Sequence, residues 1–190
     1  MPLDPVLDTA KRLSGRALDP GAIAVDATVG NGHDTLFLAR AVGPSGRVYG
    51  FDVQEAAIDR ARQRLTSAGV ASRVTLMRAG HEAMGQHVPP EARGRVATVM
   101  FNLGYLPGGD KARITQPATT VAALDQACRY LQPGGVITVV QYVGHEGGAA
   151  EARAVDEWAE ALDQTAYQAL TYRFINQRND PPRLLAIGRR

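Results

Sequence analysis

Cysteine occurs once in this chain, at Cys128, so no intramolecular disulfide can close and a reducing, cytoplasmic setting is expected. That residue falls in an apolar helical stretch, Ala118 to Leu131, where a thiol fills core space rather than attacking anything. The four histidines, His33, His81, His87 and His145, show no metal-ligand spacing. With one cysteine beside them, zinc is excluded and no metal is expected. No apolar run nears the roughly 20 residues a membrane helix needs, so no membrane partner is expected. The start, Met1-Pro2-Leu3-Asp4-Pro5, has neither the basic nor the apolar segment of a secretory signal. Lysine is also scarce. Nineteen of the 21 basic residues are arginine, and the net charge is only +2. Arginine grips phosphate bidentately and stacks on bases, so an RNA partner stays open without being required. What remains, 190 residues with 45% hydrophobic content, is expected to form one domain over 1–190 with a full core.

Apolar runs and helical patterns alternate along the chain. Residues 3–16 place Leu3, Val6, Leu7, Ala10 and Leu13 on one helical face. Strands are expected over 22–27, 47–53, 74–78, 96–102 and 136–142, with helices near 34–42, 55–67, 81–87, 119–131 and 149–163. Thr119 or Thr120 is the expected cap of the fourth of these helices, and Pro133-Gly134-Gly135 its stop. On the helix over 55–67 the stripe Ala57, Ile58, Ala61 and Leu65 faces inward, leaving Arg60, Arg62 and Arg64 as a solvated face. Two last strands, 167–176 and 183–189, have no helix between them and so pair antiparallel. The expectation is an α/β fold with a mainly parallel seven-stranded sheet, helices on both faces and a C-terminal antiparallel hairpin. That ending suits a Rossmann-like class I methyltransferase fold better than a dinucleotide-binding domain.

Ligands of such sheets sit at the carboxyl ends of the strands. The first end reads Asp26-Ala27-Thr28-Val29-Gly30-Asn31-Gly32-His33-Asp34-Thr35. Gly30 and Gly32 permit a tight turn and a close ligand, and the helix that follows offers free N–H groups. Asp26, Thr28, Asn31, Asp34 and Thr35 complete this cofactor turn. Asp52, twenty positions after Gly32, ends the second strand where a carboxylate suits a ribose, with Gln54 beside it. The third Gly of a dinucleotide turn is replaced by Thr35, and the first Gly of a methyltransferase turn by Thr28. A nicotinamide-dependent oxidoreductase and a non-catalytic nucleotide-binding module therefore stay open beside a methyltransferase.

The third strand end supplies His81 and Glu82, either a helix start or an adenine contact. The fourth supplies Asn102-Leu103-Gly104-Tyr105-Leu106-Pro107. Asn-x-x-Tyr is similar to the Asn/Asp-Pro-Pro-Tyr motif of amino-group methyltransferases. Asn102 can accept a hydrogen bond from an incoming N–H, and Tyr105 can stack on a base. These two are the expected catalytic pair. Leu106, Asp110, Lys111, Tyr142 and His145 are the expected substrate contacts.

Four segments together resemble one family: residues 26–35, residues 102–111, Tyr142-x-Gly144-His145-x-Gly147-Gly148 and Asn176-Gln177-x-Asn179-x-Pro181-Pro182. It comprises small bacterial class I methyltransferases labelled rRNA methylases and since linked to the tRNA wobble uridine. The resemblance implies S-adenosyl-L-methionine as cofactor and tRNA as substrate. The implied reaction is N-methylation of the aminomethyl group of 5-aminomethyl-2-thiouridine. Base methylation of rRNA is the rival within the class. A homodimer is one way so small a chain could hold a tRNA.

Overall fold

The computed structural model describes residues 2–104 and 115–190. Among the described residues seven strands form one sheet, in the order β3-β2-β1-β4-β5-β7-β6. They are β1 (Ile23–Asp26), β2 (Arg47–Asp52), β3 (Val74–Arg78), β4 (Val96–Leu103), β5 (Leu131–Gln141), β6 (Tyr167–Tyr172) and β7 (Arg183–Arg189). β1 to β5 pair in parallel, while β7 runs antiparallel to both β5 and β6. The mainly parallel sheet closed by an antiparallel hairpin is the expected architecture. On one face lie α1 (Val6–Arg16), α2 (His33–Ala41) and α3 (Glu55–Ser67); on the other lie α4 (Met84–His87), α5 (Pro117–Tyr130) and α6 (Gly148–Glu160).

Two covered faces explain the near-continuous apolar strands. Along β4, Val99, Phe101 and Leu103 pack towards α5 and α6, while Met100 joins Ala24 and Val48 under α2 and α3. The predicted inward stripe of α3 is buried in full. Its arginines are not merely solvated. Arg60 donates to Asn31 Oδ1 at 3.2 Å and Arg64 Nε to the Asn31 carbonyl at 2.8 Å, so they brace the first glycine turn.

Several boundaries move. α1 starts at Val6, because Pro5 stands in an extended conformation and cannot continue a helix backwards. Leu3, ahead of the helix, is exposed, and so is Leu7 on the cavity side, while Val6 and Ala10 pack beneath β5 and β7. α5 starts at Pro117, ahead of Thr119 and Thr120, since proline at the first helical position has its φ already set. Pro133-Gly134-Gly135 does not separate helix from strand. β5 begins at Leu131 opposite Val96, and the tripeptide is absorbed as a register shift before Val136 pairs with Thr98. β6 ends at Tyr172, four residues early.

Candidate functional site

The carboxyl ends of β1 to β5 open into a cavity of about 950 Å³. Its first wall is the turn after β1. Asp26, fully buried, accepts the Thr28 backbone N–H at 3.1 Å and the Thr35 hydroxyl at 2.6 Å. This pins both ends of the turn from behind. Burial, with the Asp34 charge adding to it, pushes the Asp26 carboxyl up to about 7. The unfolded chain thus gives up its proton near 3.8, the ordinary aspartate value, while the folded protein holds it to about 7. Stability should fall through that window by at most about 1.4 kcal/mol per pH unit. Asp26→Asn should lose this slope and gain on the wild type between about pH 5 and about pH 7.5. Urea midpoints of both proteins at the two pH values check it, and parallel pH profiles would contradict it.

Gly30 adopts a left-handed conformation, φ +52°. Its N–H donates to Asp52 Oδ2 at 2.9 Å, and the Gln54 N–H donates to Asp52 Oδ1 at 2.8 Å. The β2 carboxylate is thereby aimed into the cavity beside the turn, with a further lone pair on each oxygen available. Thr28, Gly30, Asn31, Asp34, Asp52 and Gln54 all line the cavity. Asp26, Gly32 and Thr35 do not. The sequence reading has Gly32 facing the ligand, but the structure turns it to α3. A Cβ built there would stand 2.8 Å from the Ala61 Cα. Thr35, standing where a dinucleotide turn has its third glycine, is buried and donates its hydroxyl to Asp26.

The third strand end brings His81 and Glu82 to the opposite wall. His81 is buried edge-on to Phe101, with ring centroids 5.7 Å apart. Desolvation holds its imidazole below the ordinary histidine range, so it is neutral near pH 7. The Glu82 carboxylate folds back over Gly80.

At the fourth strand end, the Asn102 side chain donates Nδ2–H to Asp34 Oδ2 at 2.8 Å, and its backbone N–H donates to Thr28 Oγ1 at 2.7 Å. Asp34 in turn pairs with Lys11 Nζ at 3.2 Å. An ionised carboxylate only accepts, so the amide nitrogen of Asn102 must face Asp34 and the carbonyl oxygen is left for the cavity. Tyr105, Leu106, Asp110 and Lys111 lie outside the described residues. Tyr142 and His145 form the far wall, with His145 packed against Gly104 and Gly148. Burial and the Asp34 charge keep the Tyr142 phenol protonated beyond its usual range.

Three parts of the site carry little signal in the sequence. Lys11 and Leu7 reach the cavity from α1, far away in the chain. Thr115 accepts the Gly104 N–H at 2.9 Å and donates to the buried Glu151 at 2.6 Å, which Thr120 also contacts at 2.6 Å. This network ties the β4 end to α5 and α6. Asp180, between β6 and β7, completes the rim. Its neighbours in the motif at 176–182 were the available signal. Among the described residues no cluster of histidine, cysteine and carboxylate groups could hold a metal ion.

Comparison with known proteins fits this geometry. The family described as "Putative rRNA methylase" matches residues 48–188. The chain belongs to that family. A crystal structure described as a putative rRNA-methylase from Clostridium thermocellum is 41% identical with a TM-score of 0.95, covering 99% of both chains. A putative methyltransferase from Streptococcus mutans, solved in complex with SAH, is 34% identical with a TM-score of 0.89, again over 99% of both chains. The chloroplastic tRNA (mnm(5)s(2)U34)-methyltransferase of Arabidopsis thaliana is 39% identical over 171 residues, or 85% of this chain. The chain spans 61% of that plant protein's length. These rRNA methylase relatives share the whole sheet, including the closing hairpin. Among the described residues, no helix is long and apolar enough to cross a membrane.

Proposed function

We propose that this protein is a single-domain S-adenosyl-L-methionine-dependent RNA methyltransferase. On this reading it N-methylates the aminomethyl group of 5-aminomethyl-2-thiouridine at the tRNA wobble position, in the cytoplasm. The observation that carries the reading is Asn102. Its amide is locked by Asp34, and its carbonyl is left to accept an N–H beside the turn after β1. The donor set fits the cofactor: a carboxylate on β2 for ribose hydroxyls, and the turn carrying Gly30 for close approach. The same cofactor class is bound by the Streptococcus mutans relative, solved with SAH. The tRNA assignment follows the chloroplast relative.

When bound, S-adenosylmethionine supplies an electrophilic methyl group on a cationic sulfonium. The acceptor is an alkylammonium in water and has no lone pair until it loses a proton. A neighbouring positive charge lowers its pKa. Asn102 accepts one remaining N–H of the neutral amine and so points the lone pair at the methyl. Gly30 and Asp52 would hold the cofactor so that this lone pair would take the methyl group, the electron pair of the broken bond staying with the departing cofactor. The extra proton on nitrogen leaves to solvent at the open mouth. Alignment supplies most of the rate, and the protein needs no nucleophile of its own.

The family description favours one second reading, methylation of an rRNA base. Purified protein should transfer a methyl to tRNA bearing the aminomethyl nucleoside, and not to unmodified tRNA or rRNA. Nucleoside mass spectrometry of a deletion strain should show the unmethylated amine accumulating. A methyl found on rRNA alone would replace the tRNA reading with the second one. Asp52→Ala should weaken S-adenosylmethionine binding by about 1.5–3 kcal/mol, the worth of hydrogen bonds to a charged acceptor. Calorimetric titration checks this, and an unchanged affinity would remove Asp52 from the ribose seat. A homodimer in solution would double the surface offered to a tRNA.

A further inference from the structure

A second, smaller cavity of about 270 Å³ lies under the β6–β7 connection, and Asp180 lines both it and the reaction cavity. It falls below the roughly 300–1,000 Å³ of pockets that take a whole small ligand, so one ring system is its natural occupant. Its walls are Phe174, Ile175 and Pro181, with Arg173 at the edge. Three features of this segment serve no evident folding purpose. Ile175 is 84% exposed, far more than any other large apolar residue described. Arg173 is exposed and has no carboxylate partner among the described residues. Asn179 and Asp180 both adopt left-handed backbone, φ +64° and +46°, which folds the segment back so that Asp180 packs over Gly144 at the cavity rim. Arg183 is different: it is committed to Asp156 at 2.5 Å and to Gln141 at 2.7 Å, and forms a fixed floor.

We propose that this second cavity receives the base of the nucleotide adjoining the methylated one. The inference rests on the RNA reading above. A target base placed in the reaction cavity must be unstacked, and its chain neighbour then emerges across the shared Asp180 wall. Phe174, Ile175 and Pro181 offer that neighbour an apolar platform, which any base face can use. The Asp180 carboxylate disfavours a phosphate inside the cavity and accepts N–H groups from a base edge. Arg173, outside, meets the connecting phosphate. The segment at 176–182 thus acquires a role in holding RNA rather than in closing the sheet.

The test uses the full chain, S-adenosylhomocysteine and a synthetic anticodon stem-loop carrying 5-aminomethyl-2-thiouridine. Arg173→Gln and Ile175→Ser alter exposed side chains and should leave the thermal midpoint and S-adenosylhomocysteine affinity unchanged. Each should weaken stem-loop binding about tenfold, and Arg173→Gln should lower the salt slope by about one. Stem-loops made abasic at the 5′ or the 3′ neighbour of the target separate a base site from general charge attraction. One of the two should bind the wild type about tenfold more weakly, yet cost the Ile175→Ser protein nothing further. Unchanged binding in both variants, or abasic RNAs that bind the wild type as well as intact RNA, would overturn the proposal while the methyltransferase reading stood. A wild type that neither binds nor methylates the intact stem-loop would overturn both.

Discussion

Asn102→Ala is expected to lower single-turnover methylation of aminomethyl-bearing tRNA about 100-fold while leaving cofactor affinity nearly unchanged. The side chain is held at two removes. Lys11 fixes Asp34, and Asp34 fixes the Asn102 amide. The carbonyl oxygen that results is an oriented acceptor in the cavity, worth most when a nitrogen lone pair must point along one line. Alanine deletes that acceptor and leaves Asp34 its Lys11 partner, so the fold should tolerate the change. Asn102→Asp is the sharper companion. It puts a second carboxylate against Asp34, and the repulsion turns one of them away or protonates it. Rapid-quench assays with saturating cofactor, beside titration of the same variants, measure both quantities. Normal turnover, or a loss explained wholly by failed cofactor binding, would take Asn102 out of the acceptor role.

What the sequence made legible was local. Gly30 and Asp52 could be placed at the cavity because each sits at a strand end whose backbone requirement is set within a few residues, whereas Asp26, expected beside them, stands behind the turn and spends both oxygens on Thr28 and Thr35. The hairpin was legible because two strand-like runs, ending the chain as β6 and β7, had no helix between them. Lys11 was hidden for the opposite reason. It lies on an amphipathic helix, and only the packing of α1 against β5 and β7 brings it to Asp34. Glu151 reads as an ordinary helical carboxylate until tertiary structure buries it against Thr115 and Thr120. Pro133-Gly134-Gly135 misled because a breaker in one strand can be accommodated by a register shift in the pair. Gly32 misled most. Alternating glycines suggest a ligand pressed against both, yet Gly30 lines the cavity while Gly32 packs against Ala61 of α3.

Gly32→Val should therefore unfold or strongly destabilise the protein rather than merely empty its cofactor site. The residue is buried, at φ +76°, a conformation β-branched side chains scarcely adopt. Its Cβ would meet backbone, the Ala61 Cα at 2.8 Å, along with the Ala61 Cβ at 2.9 Å. Backbone cannot step aside as a flexible side chain can, so α3 must move or the turn must open. Strain at φ and overpacking each cost about 1–3 kcal/mol, and together they rival a large share of a domain's net stability. α3 also carries Arg60 and Arg64, which hold the Asn31 side of the turn, so its displacement loosens the cofactor wall as well. Chemical denaturation and cofactor titration on the same preparation distinguish the two roles. Stability and binding should fall together, and Gly32→Ala should show the same joint loss to a smaller degree. A variant that keeps the wild-type denaturation midpoint but no longer binds S-adenosylmethionine would mean that Gly32 faces the ligand after all.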